Sequence, residues 1–239
     1  MIEIDKLSFS YDGEKAILTD ISFSIKKGEV VAILGPNGSG KTTLLYLLAG
    51  IIPHLKKGII EGTIRIENKE VSKTPFEDII KKVGFIMHNP EEQFVGLNVK
   101  HELLLGISHL SMTEKEEIFN RFVSIFELNN LLFNSPQELS MGQKQKVIMA
   151  SVVMREPEYI FLDEPFSFLD IHSQKWVCEI IKNLKEKGKT IILSTHKIDL
   201  IKDVVDRVVG IKDGKLKFFK PFDNLTQSDY QSLYNIKNT

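Results

Sequence analysis

The run Gly35-Pro36-Asn37-Gly38-Ser39-Gly40-Lys41-Thr42-Thr43 constrains this chain more than any other stretch, because it reads G-x-x-x-x-G-K-T. Residues 30–34 before it are apolar and mostly β-branched, and residues 44–49 after it are good helix formers. A strand, a Gly-rich loop and a helix in that order make the string a phosphate-binding loop. The glycines let the backbone curl until several N–H groups face one point. The helix that follows adds the positive end of its dipole. Lys41 has the length to reach the outer phosphates, and the Thr42 hydroxyl suits Mg²⁺. The pattern specifies a nucleotide phosphate; by itself it does not separate a kinase, a GTPase or a transport motor.

The rest of the composition narrows the class. With 31 basic and 32 acidic side chains in 239 residues the formal charge is -1, which argues against a protein that coats nucleic acid. No apolar stretch approaches the ~20 residues that span a bilayer. The first residues lack the basic-then-apolar pattern of a secretory signal. The one cysteine, Cys178, excludes an internal disulfide and falls in an apolar helical pattern. These features predict a cytosolic protein whose membrane role, if any, comes through a partner.

Residues 2–9 and 20–26 alternate apolar and polar side chains and predict half-buried antiparallel strands, with a turn at Ser10-Tyr11-Asp12-Gly13. Tyr11 can stack on a flat ring or serve as a strand-end aromatic. Residues 63–67 alternate again, and residues 83–87 form a continuous apolar run that ends at His88-Asn89-Pro90. From about 91 to 153 the period becomes helical: Ile118, Phe122, Ile125 and Phe126 share one predicted face. Ser140 has the place of an N-cap. A second β/α run follows, with a buried strand ending in Asp163-Glu164-Pro165, a helix striped by Trp176, Val177, Ile180, Ile181 and Leu184, and a strand ending before His196. A short helix is expected at Leu200–Val205, and Asp213-Gly214 between two strand-like runs predicts a hairpin. The expected fold is α/β: a P-loop NTPase core with a mostly parallel sheet, an N-terminal antiparallel β subdomain and an inserted α-helical subdomain. The expected division is one domain over 1–219, with the core at about 1–90 and 155–219, helices at about 91–154, and a polar tail at 220–239.

In an open parallel sheet, ligands bind beyond the carboxyl ends of the strands. The phosphate loop, His88-Asn89, Asp163-Glu164 and His196 all fall at such ends. Beside a phosphate loop, the first acid can hold Mg²⁺ through water, and the second can orient or deprotonate the water that attacks a γ-phosphate. His196 can donate to that phosphate, or act as a capping or core histidine.

Leu139-Ser140-Met141-Gly142-Gln143 followed by Lys144-Gln145-Lys146, some twenty residues before the two-acid strand, resembles the signature motif of ATP-binding cassette (ABC) ATPases. Phe166-Ser167-Phe168-Leu169-Asp170 is similar to their D-loop and Ser194-Thr195-His196 to their switch histidine. Tyr11 then matches the aromatic that stacks on adenine. The resemblance covers residues 2–219. Within the family, residues 89–95 (Asn-Pro-Glu-Glu-Gln-Phe-Val) and the Ile52-Pro53-His54-Leu55 stretch resemble the ATPases of energy-coupling factor importers, which take up vitamins or nickel and cobalt ions.

The resemblance implies ATP and Mg²⁺ as ligands, held by Gly35 to Thr43 with Thr42 and Asp163 on the metal, and Glu164, His196 and His88 as catalytic groups. It implies a second ABC ATPase subunit, identical or different. The Ser140, Gly142, Gln143 and Asp170 of each subunit would complete the other's site. It also implies an integral membrane coupling subunit and a substrate-binding membrane subunit, with the chain peripheral on the inner face of the membrane and no nucleic acid. Two departures bear on rate. His88 stands where the family has glutamine, offering nitrogen where Mg²⁺ prefers oxygen. Met141 stands where it usually has glycine, at a cost if that backbone needs positive φ. A low-activity cassette of a heterodimer and a non-transport ABC ATPase are the rival readings.

Overall fold

Strands β1 (Ile2–Ser10) and β2 (Ala16–Ile25) pair antiparallel, as their alternation requires. Ile2, Ile4, Leu7, Leu18, Ile21 and Ile25 point inward and are buried. Next come β3 (Val30–Leu34), α1 (Lys41–Leu48), α2 (Ile51–His54), β4 (Ile59–Ile66), β5 (Lys69–Glu70), α3 (Phe76–Lys82) and β6 (Val83–Ile86). A helical stretch holds α4 (Val99–Gly106), α5 (Met112–Ile125) and α6 (Met141–Val153). The chain returns through β7 (Tyr159–Asp163), α7 (Ile171–Glu186), β8 (Thr190–Ser194), β9 (Arg207–Lys212) and β10 (Lys215–Pro221), then α8 (Gln227–Tyr234). The computed structural model describes residues 1–234.

Two sheets result. One is antiparallel, in the order β2-β1-β4-β5; the other has the order β10-β9-β3-β8-β7-β6. In the second, β6, β7, β8, β3 and β9 run parallel and only β10 is reversed. The hairpin that reverses it turns at Asp213 (φ 51) and Gly214 (φ 70), the two positive values a type I′ turn needs. Parallel strands covered on both faces read as unbroken apolar runs, which is why β3, β7 and β8 are buried at every position.

Alternate residues of β3 serve two cores. Val30, Ala32 and Leu34 pack with α4, α6 and α7; Val31 and Ile33 pack with α1 and the antiparallel sheet. The last turns of α5 show how far periodicity reaches: Phe122 and Phe126 are buried, but Ile125, placed on the same face by spacing, is 46% exposed. The helix expected at 200–205 is a single 3-10 turn at Ile198–Leu200 followed by irregular turns. β2 starts at Ala16, four residues earlier than the alternation suggested. Of the stretch from 220 on, residues 227–234 form α8, whose Leu233 is 1% exposed.

Candidate active site

Because β3, β6, β7 and β8 are parallel, their carboxyl ends share one edge of the sheet, and a cleft of about 770 Å³ opens there. It is lined by Tyr11, Asn37, Gly38, Gly40, Lys41, Thr42, Thr43, His88, Asp163, Glu164 and His196. All four strand-end groups picked out by position therefore meet at one place. Gly35, Pro36 and Ser39 form the back of the loop.

The loop's shape depends on residues without side chains. At Gly40 (φ 103) a Cβ would lie 2.6 Å from Leu18 Cδ2, and at Gly35 it would lie 2.1 Å from the Ile211 carbonyl oxygen. α1 begins at Lys41 with no side chain capping it, so its first N–H groups face the cleft. Lys41 folds back over the loop and donates to the carbonyls of Gly35 (2.8 Å) and Pro36 (3.2 Å). Its burial lowers the ammonium pKa from the ordinary value, against the pull of Glu164 and Asp163.

The Thr42 hydroxyl donates to Asp163 Oδ2 at 2.8 Å. Asp163, 2% exposed, receives a second bond on Oδ1 from Ser194 Oγ at 2.6 Å. The same Ser194 oxygen accepts from the Glu164 N–H at 2.9 Å. One buried hydroxyl thus sets the angle of both acids. Glu164 sits in the left-handed region (φ 47), which turns its side chain into the cleft. Its Oε1 is buried, makes no hydrogen bond among the described residues, and lies 3.1 Å from His196 Nε2. His196 Nε2 also lies 3.0 Å from Asn37 Oδ1 and 3.4 Å from Lys41 Nζ, an acceptor and a donor, so each tautomer suits one of them. Burial lowers the His196 pKa; Glu164 opposes that and Lys41 adds to it. The imidazole is therefore neutral at pH 7.

Tyr11 is 45% exposed and stands edge-on to Phe9 at 4.8 Å, its hydroxyl 3.4 Å from Thr43 Oγ1. His88 is exposed, its ring 5.2 Å from Phe168 at 61°. Phe168 has φ 61 and is 60% exposed. Behind His88, the Gln93 side chain caps the end of β6: its amide donates to the Phe85 carbonyl (2.8 Å) and its oxygen accepts from Met87 N–H (2.9 Å).

Ser140, Gly142, Gln143 and Asp170 do not line this cleft. Ser140 caps α6 and Gln143 returns the bond, the hydroxyl accepting from Gln143 N–H at 3.3 Å and Gln143 Oε1 accepting from Ser140 N–H at 2.8 Å. Asp170 caps α7 through Ser173 N–H at 2.8 Å, which lowers its pKa. Met141 is the first residue of α6 and is not among the positive-φ residues, so the strain expected of a methionine there does not arise.

Ser194 and Gln93 lie inside sequence motifs that assign them no task, and the structure gives each one. For Ser194 the signal was present: a hydroxyl at the end of a buried strand beside a two-acid strand. Nothing in the polar C-terminal composition pointed to Tyr234, whose hydroxyl accepts from Gly35 N–H at 3.2 Å.

The family model described as ABC transporter matches residues 18–167. The chain belongs to the ABC transporter family. A putative ABC transporter ATP-binding protein of Pyrococcus horikoshii is 41% identical over 224 residues, covering 92% of this chain and 83% of that protein. The energy-coupling factor transporter ATP-binding protein EcfA1 of Ligilactobacillus salivarius is 36% identical, covering 90% and 76%. A relative in Treponema denticola is 36% identical over 98% of this chain, which spans only 49% of that longer protein. Among solved structures, a dimeric ATP-binding cassette in a post-hydrolysis state with ADP and Pi superposes with TM-score 0.81 at 26% identity, covering 94% of this chain and all of that one. The cbiO1 protein of Clostridium perfringens, described as part of the ABC transporter complex cbiONQ, superposes with TM-score 0.79 at 28% identity, covering 98% and 94%. The α/β architecture is that of an ABC ATPase cassette, and the chain is an ATP-binding ATPase of this family. No helix among the described residues is long and apolar enough to cross a membrane.

Proposed function

We propose that this chain is the motor subunit of an energy-coupling factor type importer, closing on a second ABC ATPase subunit around ATP and passing that motion to a membrane coupling subunit. A substrate-binding membrane subunit carries the cargo, a vitamin or a nickel or cobalt ion, so the chain works at the inner face of the membrane. The observation that carries the reading is the placement of Glu164: its carboxylate lines the cleft beside Lys41 and His196, with Oε1 3.1 Å from His196 Nε2. A carboxylate placed there fits the role of orienting an attacking water.

Thr42 and Asp163 are the residues that would hold Mg²⁺. Their oxygens meet at the strand end, a hydroxyl and a carboxylate that suit a cation taking one or two carboxylates and filling its shell with water and phosphate. Bound there, it would supply neutralisation of phosphate charge. Residues 35–43 cradle the phosphates with backbone N–H groups and Tyr11 stacks on the base. Lys41 exchanges its loop carbonyls for phosphate oxygens. Glu164 takes the proton of the attacking water, and neutral His196 donates to the γ-phosphate. Ser140, Gly142, Gln143 and Asp170 lie outside their own subunit's cleft; they act on the nucleotide of the second subunit. The N-terminal turn of α6, capped by Ser140 and Gln143, would then face the triphosphate.

The test is Glu164→Gln. With Mg-ATP this variant should sediment as a dimer and hydrolyse at least about a hundredfold more slowly than wild type. A variant that stays monomeric with ATP and hydrolyses at the wild-type rate would overturn the reading.

A second reading, that of a slow cassette working beside a faster partner, is favoured by His88. It presents ring nitrogens where an oxygen ligand is wanted, and it rests against Phe168. His88→Gln in the assembled complex raises hydrolysis if this is so; an unchanged rate removes the reading.

A further inference from the structure

Helix α8 is held in place by more contacts than a polar tail needs. Thr226 and Asp229 cap its start reciprocally: the Asp229 carboxylate accepts from Thr226 N–H (2.8 Å), and Thr226 Oγ1 accepts from Asp229 N–H (3.2 Å). Lys220 donates to both Asp229 oxygens at 2.9 and 2.8 Å. Leu233 is buried, and Lys212 on β9 donates to the Ser232 carbonyl. The helix thereby delivers two stacked phenols, Tyr230 and Tyr234, with centroids 6.1 Å apart and planes 20° apart. Tyr234 continues towards His196, 6.2 Å away. Its hydroxyl accepts the N–H of Gly35, the first residue of the phosphate loop, at 3.2 Å.

Gly35 is buried and gripped from two sides. On one it presses the β9 backbone so closely that a Cβ would meet the Ile211 carbonyl; on the other it meets Tyr234. Burial and the nearby Glu164 charge raise the Tyr234 pKa above that of an ordinary phenol, so the hydroxyl keeps its proton.

We propose that Tyr234 is a positioning residue of the nucleotide site, tying the entry of the phosphate loop to α8 so that nucleotide binding and the docking of α8 strengthen each other. This rests on reading the cleft as the nucleotide site. The coupling is reciprocal: whatever orders the loop must, by linkage, hold α8 more firmly. A partner that pulls α8 away would then loosen the nucleotide.

The experiment uses the full chain with ADP as probe, so that hydrolysis plays no part. Wild type, Tyr234→Phe and Leu233→Ala are compared by calorimetric ADP affinity and by hydrogen exchange across residues 227–234, with and without saturating ADP. The phenylalanine variant keeps the ring and loses only the acceptor, so a chain that folds is expected. Wild-type α8 should exchange more slowly with ADP. Tyr234→Phe should bind ADP about two- to tenfold more weakly, the range of one hydrogen bond, and its α8 exchange should no longer respond to ADP. Leu233→Ala, which undocks the helix by another route, should weaken ADP as well. A merely structural α8 would speed exchange equally with and without ADP and leave affinity unchanged; that result in Tyr234→Phe overturns the proposal. A wild-type chain that bound no ADP would overturn both this proposal and the reading of the cleft.

Discussion

Replacing Ser194 with alanine removes one oxygen that serves two acids. Ser194 is fully buried. Its hydroxyl donates to Asp163 Oδ1 at 2.6 Å and accepts from Glu164 N–H at 2.9 Å. The first is a bond to a carboxylate, worth about 1.5–3 kcal/mol, and its loss leaves a 2%-exposed oxygen without that donor. The second is a neutral bond of about 1 kcal/mol, partly retained because Glu164 N–H also points at the Ser194 carbonyl, 3.2 Å away. The sum is about 2–4 kcal/mol. For a chain of this size each kcal/mol moves the melting temperature by about 2–4 °C, so Ser194→Ala should melt about 4–16 °C below wild type at pH 7 by circular dichroism. On the proposal that Asp163 is a metal ligand, ATP hydrolysis should fall about 10–100-fold, the usual cost of losing a group that orients such a ligand. A melting temperature within about 2 °C of wild type would refute the claim that this hydroxyl braces the two acids.

Gly40→Ala must place a Cβ 2.6 Å from Leu18 Cδ2 at φ 103; ADP affinity by calorimetry should drop about tenfold or more while the far-ultraviolet spectrum stays native. Gln93→Ala frees the Phe85 carbonyl and the Met87 N–H at the end of β6; KM for ATP and kcat should both worsen, with a melting loss of about 1–3 kcal/mol in denaturant titration. The Lys220 ion pair, with the Thr226 bonds, holds the Asp229 pKa below 3.8. A depressed carboxyl stabilises above its unfolded value and loses that contribution as pH falls through the folded one. Wild type should therefore lose α8 tyrosine ellipticity below about pH 4, while Asp229→Asn shows the loss at neutral pH and no added loss on acidification.

What the sequence revealed and what it hid divide along physical lines. The loop, the two-acid strand and the histidine strand were legible because each is a buried parallel strand, an unbroken apolar run with a polar residue at its end, and the topology of such sheets brings those ends together. Asp213-Gly214 was legible because few other pairs take positive φ twice. Ile125 was misplaced because a helix period drifts off the core face in the last turn before a cap. α3 and β5 were missed because a seven-residue helix and a two-residue strand are too short to show a period. The strain expected at Met141 came from residue type alone; the backbone there is ordinary first-turn helix. Tyr234 was invisible for a different reason: its partner lies 199 residues away, and no local pattern encodes such a pairing. Ser140, Gly142, Gln143 and Asp170 were legible as a motif, yet within the chain Ser140, Gln143 and Asp170 serve as helix caps and none of the four lines the cleft.

The central strand has a history on the ribosome. β3 is flanked by β8 and β9, so the segment that ends in the phosphate loop, finished at Leu34, is translated well before β8 starts at Thr190 and β9 at Arg207. At 5–20 residues per second, the loop spends roughly 8–30 s as a tethered, apolar strand end with its hydrogen-bonding edges open. During that interval its unpaired edges are open to misassociation with another nascent strand.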